Sequence, residues 1–549
     1  MRTLPHATCT ARSLLPPLIA RAPLPFAALP PSPLPSPSFW LGRSLALRWL
    51  GGCYFVAFLI ALRQNKPLIG THGLSPLRHS LAASRAAGHG FFARPTFFSQ
   101  RGGDAALDAH AWAGLLLAAP LALTGAGGAP QLLALFALYT SLVNVGQAWY
   151  AFGWETLLLE TGFLAIFLCP LRPAGAFPSC LPPPQVVVWA FRWLLFRVML
   201  GAGLIKWRGD RCWRPDAGEP SAMDYFYETQ PVPSPLSRRF HHMPRRWHRF
   251  ETAAGLWVVE LLTPPLLLLP GAAPPLVGVR TAAAVVQIAF QLVLIASGNL
   301  AFLNWLTIVP AFFCLPDAFL LRFAPSNAAA AATAAAAAAA AEGPSRGARA
   351  ALHCALALLL ARGSVPVVRN LLARGGRQAM NRSYGPLRLV NTYGAFGSVT
   401  RERYEVVLEG TREEYPTEGA DWREYEFVAK PGDVKRPPRW LSPYHLRLDW
   451  LMWFVPLSGA RTHPWLFHFI AKLLQNDQPT SRLLRHNPFL EGEPPRFIRA
   501  LLYEYSFASV EQTRRSGDYW VRRRVRQYLA PQSLKSLRPI LAQNGWLDE

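Results

Sequence analysis

Residues 185–205 read QVVVWAFRWLLFRVMLGAGLI, and a helix needs ~20 predominantly apolar residues to cross the hydrocarbon of a bilayer. Other apolar runs lie at about 45–62, 111–124, 131–149, 156–171, 255–270, 281–315 and 350–372. Blocks this long exceed what a soluble core uses. Only 16% of the chain is charged, against roughly 25% in an ordinary soluble domain. This is a membrane protein. The shorter runs are read as paired half-spans or re-entrant segments, so the span count stands between five and nine.

The formal charge of +24 does not imply nucleic acid. The excess is spread along the chain, with no basic stripe interleaved with stacking aromatics on a soluble module. Arginines in the loops near anionic headgroups account for it. Of the seven cysteines, only Cys180 and Cys212 fall in polar loops, so at most one disulfide is expected. No CxxC and no ladder of ligand spacings points to zinc. His241, His242 and His248 do not share a helical face, which argues against a metal box. No cofactor is expected.

Taken in order, the chain starts with a proline-dense, acid-free stretch (1–38) that cannot build a core and is expected to be disordered. A multi-span domain over 39–376 follows, with a polar loop at about 207–254. Its alanine-rich insert at 327–347 reads as a tolerated linker without a specified partner. After about Gly376 charge rises and long apolar runs stop. Arg388–Thr392, Tyr404–Leu408 and Trp422–Val428 read as strands, and Leu446–Phe454 and Pro464–Leu474 as amphipathic helices. The fold expected is therefore a mainly α polytopic bundle followed by a soluble, mixed α/β domain over 377–549, β-rich at its start.

Charges inside the apolar runs are the first candidates for function. Glu155, Glu160, Arg192, Arg197 and Glu260 should face the bundle interior and pair, since an unpaired charge at mid-bilayer costs at least ~2.5–3.5 kcal/mol. Arg192 or Arg197 against Glu160 is the natural pairing. Such pairs either line a polar cavity for a headgroup, ion or substrate, or simply fix the bundle. Lys206, at the end of a span, reads as an interfacial anchor or as a base with a depressed pKa. Beyond it Arg208, Asp210, Cys212, Trp213, Asp224, Tyr227 and Glu228 crowd into a polar loop. Neither GxSxG nor a phosphate-binding glycine loop occurs in a usable context, so no enzyme is indicated by motif. Asn381-Arg382-Ser383 is an N-glycosylation sequon.

Several long strings carry a family likeness. SLVNVGQAWYAFGWETLLLETGFLAIFLCPL (141–171), GAGLIKWRGDRCW (201–213), DYFYETQPVPSPLS (224–237) and HRFETAAGLWVVELLTP (248–264) resemble the lipase maturation factor family. So do SGNLAFLNWLT (297–307), RLVNTYGAFGSVTRERYEVVLEGT (388–411), WREYEFVAKPGDVKRPP (422–438), SPYHLRLDWLMWF (442–454) and PPRFIRALLYEYSF (494–507). The resemblance implies an endoplasmic-reticulum protein with a lumenal C-terminal domain that helps secreted lipases of the lipoprotein lipase class fold and pair. Lipases would then be its clients and membrane lipids its surroundings. It supplies no catalytic residues. The loop aromatics Trp207, Trp213, Tyr225, Phe226 and Tyr227 are expected to form an exposed face that covers a client's apolar patch. Vertebrate relatives carry a cysteine pair around the KPGD turn where this chain has Ala429 and Arg439. A slighter likeness of GAGLIKW to vitamin-K-dependent carboxylases implies a rival, a membrane enzyme with Lys206 as base. A lipid- or ion-binding transporter is the other alternative.

Overall fold

The computed structural model describes residues 37–98, 103–172, 175–215, 219–342, 347–373 and 378–547. Nearly all of the proline-dense start therefore lies outside the described residues. Five helices among the described residues are long and apolar enough to cross a membrane: Trp40–Ile69, Asp104–Thr124, Gln185–Arg208, Pro274–Ser297 and Ala348–Leu371. Shorter apolar segments sit among them: Ala129–Val145, Gly153–Ile166, the π-helix Ala254–Leu262 running on into Thr263–Leu267, and Leu303–Ala311 with a 3-10 turn to Cys314. The run at 281–315 is not continuous. It breaks after Ser297, where Gly298 is extended and the Asn299 side chain binds other backbone, so two antiparallel segments replace one.

These segments run alternately between two sides. On one side Arg43 donates to the Leu181 carbonyl and Asp317 accepts from the Trp40 and Leu41 N–H groups. On the other side Gln64, Glu155, Asn299 and Trp305 all bond residues of the C-terminal part. The first helix thus starts on the face opposite the C-terminal part. The alanine run does have a partner: Ser326–Glu342 is helical, and Ala332, Ala335 and Ala336 are buried in the main core. A small side chain permits that close approach, and alanine adds the highest helix propensity.

The C-terminal part is built on a four-stranded antiparallel sheet. Its strands are β1 (Arg403–Thr411), β2 (Arg423–Glu424), β5 (Phe497–Phe507) and β6 (Trp520–Gln532), in the order β2-β1-β5-β6. Val406 stands opposite Leu502 and Leu408 opposite Ala500, which pins the register. A second, two-stranded sheet pairs β3 (Glu426–Phe427) with β4 (Leu484–His486). Tyr404–Leu408 is a strand and Pro464–Leu474 a helix, as expected. The second amphipathic helix is shorter than expected, Arg447–Met452.

Two strand expectations fail. Arg388–Thr392 is irregular, apart from an isolated bridge of Asn391 to Ser383, because its polar groups turn inward to the bundle. Trp422–Val428 splits into β2 and β3, which belong to different sheets. The sheet is also completed late in the chain, by β5 and β6, so the domain is not β-rich only at its start.

Candidate functional site

The polar groups of the bundle converge on the seam where the C-terminal part sits. Glu155 and Glu160 lie on the Gly153–Ile166 helix, and both are fully buried (0% exposed). Glu155 accepts from Arg447 Nη1 at 2.7 Å, from Trp154 Nε1 at 3.1 Å and from the Tyr139 hydroxyl. The Arg447 guanidinium lies 3.6 Å from the Tyr150 ring centroid and also donates to the Trp149 carbonyl. Around this pair Gln64 accepts from the Arg447 N–H and donates to the His445 carbonyl.

Glu160 pairs with Arg197 across helices. It also accepts from the Asn391 backbone at 3.1 Å, the Asn391 side chain at 2.9 Å and the Tyr393 hydroxyl at 2.8 Å. Arg197 returns a bond to the Asn391 carbonyl at 2.7 Å. Burying such charges is tolerable only when their hydrogen-bonding capacity is filled, and here the C-terminal part supplies much of the filling. Arg192 does not join them. Its Nε donates to the Phe313 carbonyl and its guanidinium lies over Phe39 and Trp189. It stands one helical turn and a half from Arg197, so the two cannot reach the same carboxylate face.

Glycines make the seam possible. A Cβ on Gly201 would sit 2.4 Å from the Tyr393 carbonyl oxygen, and one on Gly209 would sit 2.2 Å from that of Gly397. The 393–397 segment therefore presses directly on the Gln185–Arg208 helix. Arg208 ties the end of this helix to the Leu371 carbonyl and to Gln378. Lys206 is more than an interfacial anchor: its Nζ lies 2.5 Å from buried Glu260 and 4.7 Å from the Trp213 ring centroid. Glu260 is presented by the π-helix, whose wider turn displaces side chains from the regular helical face.

The loop beyond Lys206 is a packed structure. Asp210 accepts from the Cys212 N–H and from Arg401; although burial opposes its charge, these donors hold its carboxyl below the usual value. Burial pushes the Cys212 thiol up to about 11, which makes it a poor nucleophile. Both Cys212 and Cys180 are free thiols. A disulfide is excluded by their positions at opposite ends of the Gln185–Arg208 helix, ~36 Å at 1.5 Å per residue. Asp224 accepts from Ser221 and from His248 Nδ1 at 3.0 Å. Tyr227 donates to Glu251, and Glu228 accepts from the Phe507 N–H at 2.6 Å.

Trp213, Phe226 and Tyr227 are buried in a small core with Cys212 and Val399, and only Trp207, 40% exposed, faces outward among the loop aromatics expected to do so. The expected exposed aromatic face is absent, because the C-terminal part covers it. Asn381 lies at the exposed edge of this region, its side chain against Gly153. Among the described residues no group of three His, Cys, Asp or Glu is placed to hold a metal.

Several joining residues were not singled out by sequence. Arg403 donates to the Glu228, Gln230 and Pro231 carbonyls while pairing with Glu405. Asn299 clamps Leu441 and Ser442 with its oxygen, and Pro233 and Arg439 with its nitrogen. The available signal was polar residues inside otherwise apolar strings, such as HLRLDWLMW. At the KPGD turn, Asp449 Oδ1 accepts from the Ala429 and Lys430 N–H groups, and Arg436 donates to the Phe427 and Lys430 carbonyls. Hydrogen bonds thus hold this turn, which carries Ala429 and no cysteine.

The seam carries a pH signature. Burial and the adjacent Arg447 charge push His445 well below its ordinary value of 6.5. The unfolded chain takes up this proton below about pH 6.5 and the folded chain does not, so stability falls as pH drops below that point. His445→Phe is expected to flatten this acid loss in thermal melts of the purified protein between neutral pH and about pH 5.

Comparison with known proteins decides what the seam belongs to. The family description "Lipase maturation factor transmembrane domain" matches residues 41–322, and "Lipase maturation factor C-terminal domain" matches 389–530. The chain belongs to the lipase maturation factor family. It is 44% identical to lipase maturation factor 1 of Homo sapiens over 537 residues, covering 94% of this chain and 92% of the relative. The Mus musculus protein of that name is also 44% identical, over 94% of this chain and 91% of its own length. Lipase maturation factor 2 of Rattus norvegicus is 30% identical, over 92% of this chain and 85% of its own length. Similarity to lipase maturation factor 1 is thus the stronger of the two. No solved structure matches. The two family regions map onto the two sides of the seam: Glu155 and Glu160 come from one, Arg447 and Asn391 from the other.

Proposed function

We propose that this chain is an endoplasmic-reticulum membrane factor that assists folding and dimer assembly of secreted lipases of the lipoprotein lipase class. Family membership across both matched regions carries this reading. The C-terminal part is assigned to the lumen, where secreted clients fold, and the first helix starts from the opposite, cytosolic face. Protease treatment of intact microsomes should then leave the C-terminal part protected. Digestion there without detergent would refute the assignment. Asn381 is the residue proposed to carry a glycan on that side.

The loop over 207–254 acts as a fixed support for the sheet, and its buried Trp213 and Tyr227 hold shape rather than touch the client. Lys206 is a structural cation on this reading. Lys206→Arg keeps an ion pair with Glu260 but removes any base, since arginine does not deprotonate in proteins. Lipase activity released by cells co-expressing Lys206→Arg is expected to stay within about twofold of wild type. A carboxylase-type enzyme would lose essentially all activity in the same variant.

A further inference from the structure

A cavity of about 320 Å³ opens between the first membrane helix and the C-terminal part, a volume at the small end of ligand pockets. It is lined by Arg63, Tyr444, Asp449 and Arg482, with apolar walls that include Leu446 and Leu448. Arg63 directly follows the apolar run 45–62, which puts the cavity at the headgroup layer of the bilayer, on the side of the C-terminal part. The inference rests only on the chain crossing a membrane and is independent of its clients.

The polar groups here are incompletely used. Arg63 and Arg482 are exposed at the mouth, and neither guanidinium has an ion-pair or hydrogen-bond partner among the described residues. The Tyr444 hydroxyl accepts from Gln64 at 3.1 Å, which leaves its own proton to donate. Asp449 is fully buried at 0% exposed. Its Oδ1 takes two backbone N–H groups, at 2.6 and 3.0 Å, but its Oδ2 is buried with no partner. A buried carboxylate oxygen left unfilled is costly, and because the residue that carries it lines this cavity, it points to a donor that comes from outside the chain.

Two guanidiniums and a phenol suit a phosphate, whereas an unfilled carboxylate oxygen suits an N–H donor a few ångströms away. We propose that this cavity binds a phosphoethanolamine headgroup, as presented by a zwitterionic phospholipid. The phosphate sits between Arg63, Arg482 and Tyr444, and the primary ammonium bonds Asp449 Oδ2. A choline headgroup has no N–H to give, and a serine headgroup brings a second carboxylate towards Asp449. The volume admits a headgroup and excludes acyl chains, which remain in the bilayer.

The test uses the full chain in detergent with short-chain lipids, binding followed by native mass spectrometry and by thermal shift. Dihexanoyl-phosphatidylethanolamine is expected to bind about tenfold more tightly than the dihexanoyl-phosphatidylcholine analogue, as loss of one charge-assisted bond implies. Free O-phosphoethanolamine is expected to bind more weakly than the lipid, and inorganic phosphate more weakly still. Arg63→Gln and Arg482→Gln are each expected to weaken the ethanolamine lipid about tenfold. Neither should shift the melting temperature without lipid, because neither side chain has a partner to lose. Asp449→Asn can fail to fold, since Asp449 also holds the KPGD turn, so the arginine variants carry the test. Equal binding of the choline lipid would overturn the proposal. Inorganic phosphate binding as tightly as the lipid would show a free-anion site, and unchanged affinity in both arginine variants would show binding elsewhere.

Discussion

Glu160→Ala is expected to unseat the C-terminal part from the bundle. The substitution strips Arg197 of its carboxylate inside the membrane segment, and it removes the acceptor of the Asn391 backbone, the Asn391 side chain and Tyr393. Breaking a buried pair by deleting one partner typically costs about 3–5 kcal/mol, and each orphaned donor adds to that. The cost falls on the segment that connects the last membrane helix to the sheet. Limited proteolysis of the purified variant should cut within 378–402 far faster than in wild type, while the membrane helices stay protected. Glu160→Gln keeps acceptance from Asn391 and Tyr393 and is expected to lose only part of this stability.

Arg447→Met is expected to be nearly as damaging, by a different route. It leaves Glu155 charged and fully buried, with only Tyr139 and Trp154 as donors, and it frees the Trp149 carbonyl. A loss of about 3–5 kcal/mol is expected. Pairing the substitution with Glu155→Gln should restore a substantial part of that loss, because the uncompensated charge is removed. Thermal unfolding in detergent across the two single variants and the double variant measures the coupling directly. Additive losses would mean that the two side chains do not act as a pair.

Both effects arise where the chain meets itself over long distances, and this explains what the sequence could and could not reveal. Long apolar runs announce membrane helices because the bilayer demands length and composition, both of which are local. Arg197 against Glu160 was legible for the same reason: two charges in neighbouring spans must find each other. Arg447 lies 292 residues from Glu155, in a part that reads as a separate soluble domain, so no spacing rule connects them. The loop aromatics show the same gap. Trp213, Phe226 and Tyr227 look identical in sequence whether they face a client or a core, and only the covering segment at 396–399 decides. β6 was missed because WVRRRVRQ is an exposed, arginine-rich edge, where charge hides the strand alternation and discourages pairing with other chains. The glycines at 201 and 209 were visible as glycines. Their reason, the backbone of residues 393–397 lying against the helix, was not.

The join also changes how the molecule divides. Removing residues 380–549 does not detach a module from a finished bundle. It exposes Glu155 and Glu160, and takes Arg447 away from Glu155 and the Asn391 carbonyl away from Arg197, so failure of that truncation reports on membrane-domain integrity as much as on client contact. Point variants at the seam separate these effects better than truncations do.

The most direct test of the account is secretion of lipase itself. A lipase of the lipoprotein lipase class is co-expressed with this chain in cells lacking their own lipase maturation factors, and active dimer in the medium is measured by sedimentation followed by activity assay. The wild-type chain is expected to raise released active dimer well above the empty-vector background, and Glu160→Ala to leave it at background. Released dimer that is the same with the wild-type chain as with empty vector would contradict the account.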